Sequence, residues 1–201
     1  MTFQTTLEFP LTAEFASTKL TDLGELHRFV MGAAARTTVP SASPRAELGI
    51  TFRLGLPGDD GVGANLVSLL VRSTKPLSGT STTVVAPVTG TQVRARVTLV
   101  TEKRVSRGTG KTGPQHSRPL TDDESVDLAQ RHLTESGLQV KTNDLRLSGQ
   151  RKVGRKGAIN FTSREVIAHA TVTDQAALSR ALEHGIGRGL NYGFGLLSVD
   201  E

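Results

Sequence analysis

The chain has no cysteine and no tryptophan, and only one tyrosine, in 201 residues. Without cysteine there can be no disulfides, thiolate nucleophiles, iron–sulfur clusters or cysteine-based zinc sites. Base-stacking rings are scarce as well, since seven Phe stand beside the single Tyr. A nucleic-acid partner would therefore be read through its backbone and shape. No apolar run approaches the roughly 20 residues that cross a bilayer, and the N-terminus lacks the basic-then-apolar pattern of a signal peptide. The expected compartment is the cytoplasm, with no membrane partner. What the chain does have is 36% hydrophobic residues, enough to bury a core over one large domain or two small ones, and a formal net charge of +5 that leans towards an anionic partner.

That charge is uneven. Seven Lys/Arg balance seven Asp/Glu before residue 93, whereas seventeen face twelve after it. Residues 94 to 118 carry Arg94, Arg96, Lys103, Arg104, Arg107, Lys111 and Arg118 against Glu102 alone, and residues 146 to 156 add Arg146, Arg151, Lys152, Arg155 and Lys156 with no acid. One such cluster reads as a solvated face. Two, separated by an acidic helix, read as an anion-binding surface.

Alternation at Phe3, Thr5, Leu7 and Phe9, and again at Leu48, Ile50, Phe52, Leu54 and Leu56, predicts two half-buried strands. Between them Leu23, Leu26, Val30, Ala33 and Ala34 have helical spacing behind Thr21 as N-cap, with Asp22 in the first turn. A Pro57–Gly61 turn leads into the apolar run Leu66 to Val71, and a Ser/Thr/Pro/Gly stretch from 73 to 91 has no clear pattern.

In the second half Val93, Ala95, Val97 and Leu99 make a strand, followed by a Gly-rich basic loop from about 103 to 119. Thr121-Asp122-Asp123-Glu124 is a capping box that opens a helix with Val126, Ala129 and Leu133 on its apolar face and Gly137 beyond its end. Strands are expected near 143 to 149 and 158 to 172, on either side of a basic turn at 151 to 157. A last helix runs from Thr173-Asp174 to Gly185, and a short strand from Phe194 to Val199 ends the fold. The second half is thus β-α-β-β-α-β and the first is most of the same unit, so the fold class is α+β with two tandem ferredoxin-like domains, 1–90 and 91–201.

Residues 185 to 195 hold five of the 21 glycines, at Gly185, Gly187, Gly189, Gly193 and Gly195. A phosphate-binding fingerprint would leave a strand and open a helix. This segment leaves a helix and enters a strand, which argues against that reading; it is either a helix cap with a tight bend or bare main chain that another backbone or an RNA phosphate can approach while Arg188 supplies charge. Among five histidines, His27 lies at the edge of the first helix's apolar stripe, which by position alone suits a satisfied boundary histidine. His116, in the basic loop, either touches phosphate or is solvated. His132, His169 and His184 lie in ordinary helix or strand patterns. No His-x-x-x-His spacing or carboxylate cluster supports a metal site, and there is no Gly-x-Ser-x-Gly elbow.

The stretch Gly185-Ile186-Gly187-Arg188-Gly189 through Tyr192-Gly193-Phe194-Gly195-Leu196-Leu197, with Leu26-His27-Arg28 early in the chain, resembles the CRISPR repeat-processing endoribonucleases, in particular the CasE type of the type I-E Cascade complex. The likeness also takes in Pro119-Leu120-Thr121 and Val172-Thr173-Asp174. It implies a metal-independent, cofactor-free nuclease that binds the repeat hairpin of pre-crRNA and cuts at its 3′ base. The ribose 2′-OH attacks, leaving a 2′,3′-cyclic phosphate and a 5′-OH. The enzyme then stays on the crRNA beside other Cascade subunits, including the backbone subunit next to the crRNA 3′ end. His27 would be the catalytic imidazole. Arg28, Arg104, Arg107, Lys111, Arg151, Lys152, Arg155, Lys156 and Arg188 would hold RNA. In two places the chain departs from that pattern: Gly24 stands where many members have a Tyr, and Leu190 where many have a Lys. Two other readings stay open, a hairpin-binding subunit that cuts weakly or not at all, and a protein adaptor whose basic clusters meet an acidic partner.

Overall fold

The computed structural model describes residues 1–36, 48–57, 59, 62–77, 81–105, 116–154 and 159–201. Arg107, Lys111, Arg155 and Lys156 lie outside them. Four strands, β1 (Thr2–Pro10), β2 (Thr51–Gly55), β3 (Leu66–Ser73) and β4 (Ser81–Val84), form one antiparallel sheet in the order β2-β3-β1-β4. The second sheet contains β5 (Gln92–Val100), β8 (Leu138–Leu147), β10 (Phe161–Val172) and β11 (Ser198–Asp200) in the order β11-β5-β10-β8, with β9 (Arg151–Val153) pairing on β10. Each sheet has its last strand beside its first and its third between first and second, the arrangement of a ferredoxin-like domain.

In the first unit the helix is α2 (Leu23–Arg36), preceded by the short α1 (Ala13–Thr18). Leu23, Leu26, Val30 and Ala34 of α2 are buried against Ile50 and Phe52 of β2 and Leu69 and Val71 of β3. The cap is Asp22 rather than Thr21. The Asp22 carboxylate accepts from Gly24 N and Glu25 N, while the Thr21 hydroxyl donates back to Ser17 O. The helix α1 has no counterpart in the sequence reading; Thr12 caps it, and its Phe15 ring packs edge-on to Phe29 of α2 at 5.2 Å.

The second unit carries α3 (Asp122–Glu135) and α4 (Gln175–His184) on the face of its sheet formed by Val97, Leu99, Val166 and Ala168. The capping box of α3 is present, with Thr121 Oγ1 accepting from Glu124 N and Glu124 Oε2 accepting from Thr121 N. Asp174 caps α4, and Gly185 ends it. The basic loop begins and ends as a two-stranded ribbon, β6 (Glu102–Val105) paired with β7 (His116–Pro119), and the unpatterned stretch after β3 contains β4. The strand expected at 143 to 149 starts earlier, at Leu138, directly after the αL turn at Gly137.

The two cores meet. Val100 and Phe194 from the second half are buried in the first core, with Tyr192, Val153 and Phe161 packed beside them. Across the outer sheet faces lies a cleft of about 880 Å³. Arg53 and Glu8 line one wall, and Arg96, Glu165, Arg151 and Lys152 the other.

Candidate active site where helix α2 meets the glycine-rich segment

Sequence places His27 at the rim of α2's apolar stripe, and the fold brings the glycine segment to it from the far end of the chain. Residues 185–195 leave α4, fold back and rejoin β5: Ile186 N donates to Gly195 O at 2.8 Å, and Gly195 N donates to Thr98 O at 2.8 Å. The tip is a single 3-10 turn, Leu190–Tyr192, held between Gly189 and Gly193, both in the left-handed region with φ of 79° and 88°. Bare main chain is required there because a Cβ on Gly193 would lie 2.9 Å from the Phe52 ring of β2. The segment is therefore a packed loop wedged against the first domain, more than a helix cap.

At that tip His27 Nδ1 lies 2.7 Å from Asn191 O. A carbonyl oxygen only accepts, so Nδ1 carries the proton and a neutral His27 presents Nε2 as an unprotonated acceptor. The ring is half-buried, with Tyr192 6.0 Å away between centroids. Tyr192 continues into an aromatic group with Phe161 at 5.8 Å, and Phe161 packs on Phe194 at 5.5 Å. The tautomer at His27 is thus set by a residue 164 positions away, in the other domain.

The cations expected to hold RNA differ in how free they are. Arg28, exposed on the next position of α2, is paired with Glu25, which also takes Lys19 at 2.9 Å. Those two partners hold the Glu25 carboxyl down to about 2, and Glu25 in turn raises the Arg28 guanidinium above its ordinary range. Arg188 is exposed and donates to Glu102 O, so the glycine segment is tied to the start of β6. Arg151 and Lys152 on β9 and Arg104 on β6 are exposed. A second, open groove of about 780 Å³ runs beside the loop, between α3, α4 and β6. Lys103, Arg104, Arg131, Arg180 and Arg188 line it, together with His132, whose imidazole burial holds below its ordinary range. Arg131 and Arg180 were not legible as a site, because each is one charge on the polar face of an ordinary amphipathic helix. His169 and His184 are exposed and separate from His27. Among the described residues no group of three or more His, Asp or Glu is placed to hold a metal ion, and no helix is long and apolar enough to cross a membrane.

Two ferredoxin-like domains, with a histidine of α2 held by a glycine-rich loop after α4, define a two-domain class in which one site is built by both halves. The sequence model of the CRISPR associated protein family matches residues 3–200, so the chain belongs to that family. No curated protein matches it by sequence. Among solved structures it is similar to a CRISPR endoribonuclease, Cse3, bound to a 19 nt RNA, with a TM-score of 0.76 at 20% identity over 100% of this chain and 99% of that one. Cse3 of Thermus thermophilus bound to an RNA representing a pre-cleavage complex gives 0.75 at 20% identity, covering 100% and 99%. The Escherichia coli K-12 CRISPR-associated protein Cas6e gives 0.69 at 16% identity, covering 99% and 98%. At these identities the likeness is one of fold.

Proposed function

We propose that this chain is a metal-independent endoribonuclease that binds the repeat hairpin of CRISPR transcripts, cuts at its 3′ base and stays on the product within a Cascade-type assembly. One observation carries the reading most directly: Asn191 O holds His27 Nδ1 at 2.7 Å, which leaves Nε2 as a base at the junction of the two domains. Family membership and the solved relatives, described as CRISPR endoribonucleases bound to RNA, support the substrate class. Nε2 takes the proton of a ribose 2′-OH, the 2′-oxygen attacks the adjacent phosphorus, and the bond to O5′ breaks. The products are a 2′,3′-cyclic phosphate and a fragment whose O5′ picks up a proton from solvent or a second group. His27 belongs to a first domain of residues 1–90. The phosphate grip belongs to a second, residues 91–201, through Arg104, Arg151, Lys152 and Arg188 together with Arg107, Lys111, Arg155 and Lys156, while Arg28 reaches the scissile end. A transcript substrate places the work in the cytoplasm.

The test is incubation of the protein with its repeat hairpin in EDTA. Cleavage with a cyclic phosphate end is expected, and His27→Ala should slow it by at least about a hundredfold while leaving hairpin affinity unchanged. Equal cutting by parent and variant would remove His27 from the reaction. A second reading, hairpin binding without cleavage, is favoured by Gly24, which puts no hydroxyl one turn before His27. Tight binding with intact RNA after long incubation would decide for it.

A further inference from the structure

Arg72 is the penultimate residue of β3 and only 2% exposed. By strand alternation its side chain leaves the sheet on the face opposite Val67, Leu69 and Val71, towards the second domain. No carboxylate pairs with it among the described residues. Burial lowers its guanidinium to about 10, and Arg53, the other charge acting on it, pushes in the same direction. It stays a cation at neutral pH. Its nitrogens are satisfied by neutral oxygens instead. Nε and Nη2 donate to Gln4 Oε1 of β1 at 3.3 and 3.2 Å, and Nη1 donates to Leu182 O at 2.9 Å and to Leu197 O.

A buried guanidinium fills space at a high desolvation cost. What it supplies that Leu or Met would not is a rigid fork of donors that reaches acceptors on several elements at once. Here those acceptors are chosen in a telling way. Leu182 O is one of the last carbonyls of α4, lacking a helical partner and carrying the negative end of the helix dipole. Leu197 O lies just past the other end of the glycine segment. Arg72 therefore grips both feet of the loop whose tip, Asn191, orients His27. The circuit closes on itself: α2 packs on the sheet containing β3, Arg72 ties that sheet to the loop's feet, and the tip returns to α2.

We infer that Arg72 is a positioning residue for the cleavage reaction, fixing the glycine segment against the first domain so that Asn191 O holds His27 with its proton on Nδ1. This rests on the nuclease reading for its kinetic arm only. The test uses the full chain with Arg72→Lys, Arg72→Met and a control, Leu138→Ala, which opens the second core at its edge strand β8. Three quantities are read: the single-turnover rate on the repeat hairpin, the hairpin Kd, and the imidazole 15N shifts of His27 in the free protein. The parent should show a protonated Nδ1 and a bare Nε2. Arg72→Met should average the two nitrogens towards mixed tautomers and slow cleavage by about tenfold to a hundredfold, with Kd nearly unchanged. Arg72→Lys, which keeps the charge and loses the fork, should fall between. Leu138→Ala should lose thermal stability yet keep the parental shifts. Parental shifts in a folded Arg72→Met, or a cleavage loss that Leu138→Ala reproduces, would overturn the inference. Failure of both Arg72 variants to fold would make the residue a fold-wide strut and overturn it too. If the parent cuts no RNA, the nuclease reading fails while the shifts still decide the positioning role.

Discussion

A backbone oxygen sets the proton on His27, so no truncation of a loop side chain removes it; the loop's shape has to be changed instead. Gly195 and Gly187 both have φ of +75°, yet they differ in surroundings. A Cβ at 195 would lie 2.1 Å from Ile186 O, main chain that cannot step aside, whereas at 187 the nearest atoms are Leu99 Cδ2 at 3.4 Å and His132 Nε2 at 3.5 Å, both side-chain atoms. Gly187→Ala should therefore cost about 1 kcal/mol from the left-handed backbone alone. Gly195→Ala should cost more than about 2 kcal/mol and slow cleavage, because the clash opens the loop's neck. Thermal unfolding and single-turnover rates check this, and equal losses at the two positions would contradict it. The glycines are conspicuous in the sequence, but which of them is sterically indispensable is not, since that depends on Ile186 and Phe52 arriving by folding. Arg72 is still less legible. It follows an apolar run that reads as ordinary strand, and its carbonyl partners are 110 and 125 residues away.

At the scale of elements, what was legible is what has a period or a chemical signature. Helix α2 buries Leu23, Leu26, Val30, Ala33 and Ala34 at helical spacing, and α3 has a capping box; both can be read from neighbours a few residues apart. The helix α1, with six residues, and β4, β6 and β7, with four each, are too short for a period to emerge, and only their partners define them. At the start of α2 Thr21 and Asp22 are both suitable caps, and a shift of one residue in where the helix begins gives the role to Asp22. The capping box of α3 does more than start a helix. Glu124 also receives both terminal nitrogens of Arg118 on β7, at 2.6 and 2.7 Å, which fastens the basic ribbon to α3. Arg118 and the Thr121 N–H hold the Glu124 carboxyl down to about 2. A carboxyl lower in the folded state than in the unfolded chain stabilises at pH above its unfolded value and loses that contribution as pH falls towards 2. Glu124→Gln should therefore be less stable than the parent near neutrality, with the two unfolding curves converging in acid; a gap that is constant with pH would deny the carboxylate its role. Thr121→Ala should cost about 1 kcal/mol at every pH.

For the whole molecule, net charge matters less than where it can meet phosphate. The first 92 residues are neutral by count, and His27 sits there. Among the described residues most exposed cations lie in the second half, and those on β6 and the glycine segment are joined where Arg188 donates to Glu102 O. The clusters were readable along the chain, whereas the junction that brings the glycine segment to His27 was not, because it is made by Arg72, Phe194 and Asn191 acting across the domains. Cations differ in what they release on binding. Arg118 already has a carboxylate, so taking up RNA there would free little, while Lys152 has no ion-pair partner among the described residues and would displace counterions from a phosphate outright. Neutralising Lys152, Arg155 and Lys156 together should weaken hairpin binding and reduce the slope of log K against log salt by about one for each phosphate that is no longer neutralised. Arg118→Gln should leave that slope nearly unchanged, and His27→Ala should leave both affinity and slope at the parental values. Filter binding across a salt series separates these outcomes. An unchanged slope in the triple variant would move the RNA off β9 and towards the groove beside α3 and α4. A slope changed by His27→Ala would mean that the first domain carries part of the phosphate grip, against the division of labour drawn here.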